Sequence, residues 1–230
     1  MKFQKPKKIV FVGNASSLIK FFAQGNETEL VSSISFLNTI AVRFKPDLIV
    51  FETLSSADIA EIRKNALLKE AVILIAEENF NQYNNLSTVA SFSRIIMCNT
   101  CIVKKEKFIL HLNAVVSEKK KFANPKTSSI VKYAVLFMNR NVSKKISRSD
   151  FSRQLGINES YLSRIFRSEM GVTLWEYLNA FRLNEAKKTL ENSSLSIKEI
   201  SRQYGFESDS YFIKAFKKEF GISPDASRRV

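Results

Sequence analysis

Apolar side chains recur at helical spacing in two stretches of the C-terminal half, and they do so in the same way. Leu162, Ile165, Phe166 and Met170 fall on one helix face, and Phe212, Ala215, Phe216 and Phe220 repeat that face 50 positions later. Such stripes face a core. The opposite faces carry Ser160, Ser163, Arg164 and Arg167 in the first stretch, and Ser210, Ile213, Lys214 and Lys217 in the second. A shorter helical stretch precedes each one, at about residues 148–155 and 197–204, and stops at Gly156 or Gly205. Glycine takes the left-handed conformation that a tight helix stop needs. Tyr161, Phe166 and Gly171 also recur, as Tyr211, Phe216 and Gly221. A repeat of this length makes each copy one supersecondary unit. The pattern predicts two helix-turn-helix units, in which one stripe anchors the second helix and the other is free to enter a DNA major groove.

Three capping boxes mark helix starts in this half: Ser147 with Asp150, Thr173 with Glu176, and Ser196 with Glu199. In each, the hydroxyl accepts from an unpaired backbone N–H while the acid reaches back to the cap. The Thr173 box opens a long helix, residues 174–191, that joins the two copies. Its Trp175, Tyr177, Leu178, Phe181, Leu183, Ala186 and Leu190 give it apolar sides for both neighbours. A first helix over residues 130–138 precedes the repeat.

The N-terminal half has a different rhythm. Short continuous apolar runs at 8–13, 46–52, 71–76 and 92–98, with a weaker one at 28–31, predict strands. Amphipathic stretches at 18–23, 33–44, 57–68 and 104–119 predict the helices between them. Continuous apolar strands alternating with helices indicate a parallel sheet covered on both faces. Residues 119–129, with a lysine run, Asn124-Pro125 and paired serines, lack apolar periodicity and read as a linker. The expected organisation is an α/β domain at 1–120, a linker at 121–128 and an all-α domain at 129–230.

The C-terminal half resembles the DNA-binding domain of the AraC/XylS transcription regulators. The likeness rests on Phe166-Arg167 followed by Gly171, on Arg182-Leu183 with Ala186, and on Gly205-Phe206, Ser210-Tyr211-Phe212, Phe216-Lys217, Phe220-Gly221 and Pro224. It covers about residues 127–230. The sequence departs from the family at Ser152 and Ser201, where Ala is usual, and at Ser227, where an aromatic residue usually precedes the final Arg. The resemblance implies two reading helices in successive major-groove turns of double-stranded DNA. Ser160, Ser163, Arg164, Asp209, Ser210, Ile213 and Lys214 would read bases, and Arg167, Arg182, Lys217 and Lys218 would meet phosphates. Arg182 could instead hold the two subdomains together.

The N-terminal half is similar to a response-regulator receiver domain, on the pattern Lys45-Pro46-Asp47-Leu48-Ile49-Val50-Phe51-Glu52. The chemical positions of a receiver are replaced. Gly13, Asn14 and Ala15 stand for the acidic Mg²⁺ ligands, Glu52 for the phosphate-accepting Asp, Ala76 for the hydroxyl residue and Cys98 for the Lys. An aspartyl-phosphate site needs a carboxylate nucleophile and a cation, so the resemblance implies a degenerate, phosphorylation-independent receiver. Glu52 is read either as a fixed mimic of phospho-Asp or as an ordinary strand-end residue.

Composition adds a polyanionic partner. The chain of 230 residues carries a net charge of +14, which suits nucleic acid or an acidic membrane surface. Residues 1–126 and 127–230 each hold 18 basic and 11 acidic side chains, so charge alone does not locate that partner. No apolar run approaches the roughly 18 residues that span a bilayer, and a cytoplasmic protein without membrane association is expected. The C-x-x-C pair Cys98 and Cys101 reads as two incidental cysteines, with redox activity as the alternative; zinc would need ligands beyond the single His111. No cofactor, metal site or catalytic set is expected. The reading is a sequence-specific transcriptional regulator, with a homodimer or protein partner through the N-terminal domain as further interactions. The alternative is a signalling adaptor with weak DNA binding.

Overall fold

Four apolar runs and one weaker, more polar stretch become the strands of one parallel sheet: β1 (Lys8–Val12), β2 (Glu27–Val31), β3 (Leu48–Phe51), β4 (Val72–Glu77) and β5 (Ile95–Asn99), β2 being the polar one. The structure is a computed structural model and describes residues 6–80, 92–117 and 125–228. Strand order is β2-β1-β3-β4-β5, the order of flavodoxin-like doubly wound sheets. Every residue of β3, β4 and β5 is buried, as continuous apolar strands require. The registers Val12↔Phe51, Phe51↔Ile75 and Glu77↔Asn99 align the carboxyl ends of four strands at one edge.

The helices of this half are α1 (Ile19–Phe22), entered through a 3-10 turn at Ala15–Leu18, α2 (Ile34–Phe44), α3 (Ser56–Lys64), α4 (Thr100–Val103) and α5 (Glu106–Ser117). Two differ from expectation. The stretch expected as a helix through residue 68 ends at Lys64, because Asn65 is extended and its Oδ1 accepts from Leu67 N at 2.9 Å. The helix expected over 104–119 is α5, starting at Glu106, and a short helix that the sequence does not predict, α4, precedes it. Lys105 N closes α4 on Ile102 O at 2.9 Å, and α5 starts one residue later, at Glu106. The lysine run at 119–121 lies outside the described residues.

The C-terminal half is all helix: α6 (Pro125–Arg140), α7 (Arg148–Leu155), α8 (Glu159–Met170), α9 (Leu174–Asn192), α10 (Ile197–Gln203), α11 (Asp209–Phe220) and α12 (Pro224–Arg228). Helix α6 begins inside the stretch expected as linker. Its first residue is proline, whose fixed φ and missing N–H suit that position.

Apolar packing divides inside α9. One continuous core runs from Ile9 to Phe181, joining the sheet, α4 to α8 and the first half of α9. A second core holds Leu183, Ala186, Leu190, Ile200, Tyr204, Phe206, Phe212 and Phe216. The sheet and the first helix-turn-helix unit thus share one interior, sealed by a buried polar knot at the end of β5. Tyr177 Oη donates to Asn99 Oδ1 at 2.7 Å and accepts from Asn99 N at 2.8 Å. Asn99 Nδ2 donates to Asn139 Oδ1 and to Glu78 O, and Asn139 Nδ2 returns a bond to Asn99 Oδ1. Where the family usually has an aromatic, Ser227 is buried, and its hydroxyl has no partner among the described residues.

Candidate DNA-binding interface

Both second helices of the repeat are capped alike. Asn158 Oδ1 accepts from Ser160 N at 2.8 Å and starts α8; Ser208 Oγ accepts from Tyr211 N at 3.3 Å and starts α11. Both end on a left-handed glycine, Gly171 at φ +67° and Gly221 at φ +80°. All three expected capping boxes are formed, at Ser147, Thr173 and Ser196. The two serines that depart from the family each bridge a turn. Ser152 Oγ donates to Ile157 O at 2.5 Å, and Ser201 Oγ donates to Asp209 Oδ1 at 2.8 Å.

The inner stripe of α8 is buried as expected, at Leu162, Ile165, Phe166 and Met170; on α11 Phe212 and Phe216 are buried and Ala215 and Phe220 half-buried against them. The outer faces are open. Ser160, Ser163, Arg164 and Arg167 are exposed on α8, and Ser210, Ile213, Lys214, Lys217 and Lys218 on α11. The Arg164 guanidinium lies over the Tyr161 ring at 5.4 Å, a cation–π contact on the same outer face. Asp209 is half-buried and commits one oxygen to Ser201.

A groove of about 820 Å³ flanks α8, lined among others by Arg148, Ser163, Arg164, Arg167, Ser168 and Thr173. Three guanidinium groups on one concave wall suit phosphate oxygens. Arg148 is not predicted as a site residue by the sequence; it follows the Ser147 cap at the start of the first helix of the unit, the helix that crosses the DNA backbone in helix-turn-helix proteins.

A helix-turn-helix domain family matches residues 151–229. The transcriptional activator AarP of Providencia stuartii is 34% identical over 101 residues, covering 44% of this chain and 75% of AarP. The chain belongs to the AraC family of DNA-binding transcription regulators. The Msm operon regulatory protein of Streptococcus mutans is 33% identical over 107 residues, but the chain spans only 38% of that longer protein. Among solved structures, the C-terminal domain of AraT, a response regulator from Geobacillus stearothermophilus, is 31% identical, with 44% of this chain and 84% of that one covered and a TM-score of 0.42.

Of the two roles open to Arg182 from the sequence, a phosphate contact or a tie between the subdomains, its surroundings fit the second, since only 5% of it is exposed. Its Nε donates to Val142 O at 3.2 Å, its Nη1 to Gly205 O at 3.2 Å and its Nη2 to Lys144 O at 2.5 Å. A guanidinium enclosed by three carbonyls has no face left for a phosphate; it ties the α6–α7 loop to the second unit. Gly205, at φ +71°, is required beside it, since a Cβ there would lie 2.8 Å from Arg182 Nη2.

In the N-terminal half of this AraC-type regulator, Glu52 follows β3 and accepts from Ser17 Oγ at 2.8 Å. Gly13 and Asn14 are exposed beside it, Ala15 and Ala76 are buried, and Cys98 lies inside β5. Both thiols are free and buried, in β5 and α4 rather than in a loop. Burial pushes the Cys98 thiol well up, and pushes Cys101 up to about 12. Both are therefore held as thiols, the unreactive form. Among the described residues, no helix is long and apolar enough to cross a membrane.

Proposed function

We propose that the chain reads a specific duplex sequence with α8 and α11 in successive major-groove turns, about 34 Å apart on one face of the DNA. The observation that carries this is the pair of exposed, matching outer faces on two helices whose inner stripes are buried. Ser160, Ser163 and Arg164 read one segment; Ser210, Ile213 and Lys214, with Asp209 at the helix start, read the next. Arg164 can pair bidentately with guanine, and Ile213 can pack on a thymine methyl. Arg148, Arg167, Lys217 and Lys218 neutralise phosphates and set register. The working division is a sheet domain at 1–120 and a DNA-binding domain at 129–230.

The test compares Arg164→Ala with Lys217→Ala on a selected site and a panel of base substitutions over a salt series. Arg164→Ala should cost about 1–3 kcal/mol and relax preference at one position, while Lys217→Ala should weaken all sequences alike and lower the salt slope by about one. Equal affinity of the wild-type chain for selected and scrambled DNA at every salt concentration would remove the sequence-specific reading.

DNA binding is further proposed to be independent of phosphorylation. Gly13, Asn14 and Ala15 offer no carboxylate to Mg²⁺, which favours carboxylate and phosphate oxygens. Glu52 is one methylene longer than Asp, and its carboxylate is already engaged by Ser17. Incubation with a small phosphodonor and Mg²⁺ should leave both intact mass and DNA affinity unchanged. A stable phosphoryl adduct on Glu52 with altered affinity would overturn this.

A further inference from the structure

The following rests on the reading that α8 and α11 contact one duplex, and adds what sets the distance and rotation between them. The two reading helices belong to different cores, and among the described helices only α9 contributes to both. A single helix with two separately packed ends leaves their mutual angle soft unless something braces it.

The Arg182 tie braces one side of this joint, and the sheet domain supplies a second brace at the corner between α4 and α5. Lys105 Nζ donates to both carboxylate oxygens of Glu219, in the last turn of α11, and the pair is largely shielded, with side-chain exposures of 30% and 22%. Two residues on, Lys107 Nζ meets Glu176 Oε1 at 2.9 Å, at the start of α9. His111, one turn further along α5, places Nε2 at 3.1 Å from Glu169 O, which accepts at the end of α8. The contact there is close enough to dictate the sequence. A Cβ on Gly171 would lie 2.4 Å from His111 Cβ and 3.1 Å from Lys107 O. One short segment, residues 105–111, thus grips the C-terminal ends of both reading helices and the start of the helix between them.

We propose that Lys105 and His111 are positioning residues that fix the spacing at which this regulator reads its two DNA segments. The segment acts as a brace rather than as a lid that lifts. Behind it, the sheet and the first unit share one core, and the Asn99–Asn139–Tyr177 knot is fully satisfied. An interface closed in this way does not open in ordinary exchange between bound and free states. Glu219 is held by a group from the sheet domain, so the orientation of α11 depends on residues more than 100 positions away in sequence.

The experiment measures Kd for the full chain on its selected site and on the same site with one base pair added or removed between the two segments. One inserted pair turns the second segment by about a tenth of a helical turn. Wild type should lose at least about tenfold on either spacing variant, in the range of one mismatched position. Lys105→Met keeps the apolar stem and removes the charge; it should shrink that penalty at least threefold, as should Glu219→Gln. The exchanged pair Lys105→Glu with Glu219→Lys should restore it. Affinity for a duplex carrying only the α8 segment should stay unchanged throughout. An unaltered spacing penalty in both single variants overturns the proposal. Tighter binding of Lys105→Met to every duplex also overturns it, and would make the corner a wedge that obstructs DNA. Absence of any sequence-specific binding by wild type would instead remove the two-segment reading itself.

Discussion

Arg182→Ala is expected to destabilise the protein by about 3–5 kcal/mol, because three carbonyls lose a charged donor at once and bonds to charged groups are each worth about 1.5–3 kcal/mol, without simple additivity. The three acceptors, Val142 O, Lys144 O and Gly205 O, come from two separate segments. Removing the guanidinium therefore unpins the α6–α7 loop from the second unit. Burial lowers the guanidinium pKa from its ordinary value, but the group remains charged at any working pH. Arg182→Lys should recover only part of the loss, since an ammonium cannot reproduce the planar fork. Chemical denaturation reads the stability, and a DNA salt series separates the tie from a phosphate contact. A phosphate ligand would show a salt slope lowered by about one with stability intact. That result would reinstate the phosphate role open to it from the sequence.

Asn99→Ala should cost about 2–4 kcal/mol, from buried partners left without hydrogen bonds. The substitution removes the acceptor of Tyr177 Oη, an acceptor of Asn139 Nδ2 and the donor to Glu78 O. Tyr177→Phe removes one hydroxyl and should cost about 1–1.5 kcal/mol. The double variant should fall short of the sum, since both changes remove the same bond. Denaturation midpoints of the two singles and the double, at constant m-value, measure this coupling. Strict additivity would mean that the knot does not act as a unit.

Most secondary structure was legible because it is local. Capping boxes, glycine stops and helical stripes each need only a few neighbouring residues, and all three boxes formed where expected. The strands were legible because a sheet covered on both faces forces continuous apolar runs. What escaped was set by contacts distant in sequence. Asn99 reads as an ordinary polar strand end, and nothing near it announces Tyr177, 78 positions away. Arg182 matched a family pattern, but its environment is made by a loop 40 residues before it and a turn 23 after. Asn124-Pro125 has the composition of linker punctuation, while the same proline is a good first residue for α6. Gly171 was legible as a helix stop, while its second constraint, the approach of His111, required the fold.

The unequal partition of apolar packing bears on how the molecule comes apart. The second unit packs around an eight-residue buried cluster, joined to the rest by α9, the Arg182 tie and the Lys105–Glu219 pair, whereas the first unit is embedded in the interior of the sheet domain. Cooperativity follows shared interior rather than chain order. On heating, α10 to α12 are expected to open first, and the sheet to melt together with α6 to α8. Amides of α11 would then exchange by sub-global opening and those of α8 only by global unfolding, although the two helices are copies of one motif. Two copies of one motif are thus expected to differ in how long each stays closed, with hydrogen exchange as the measurement.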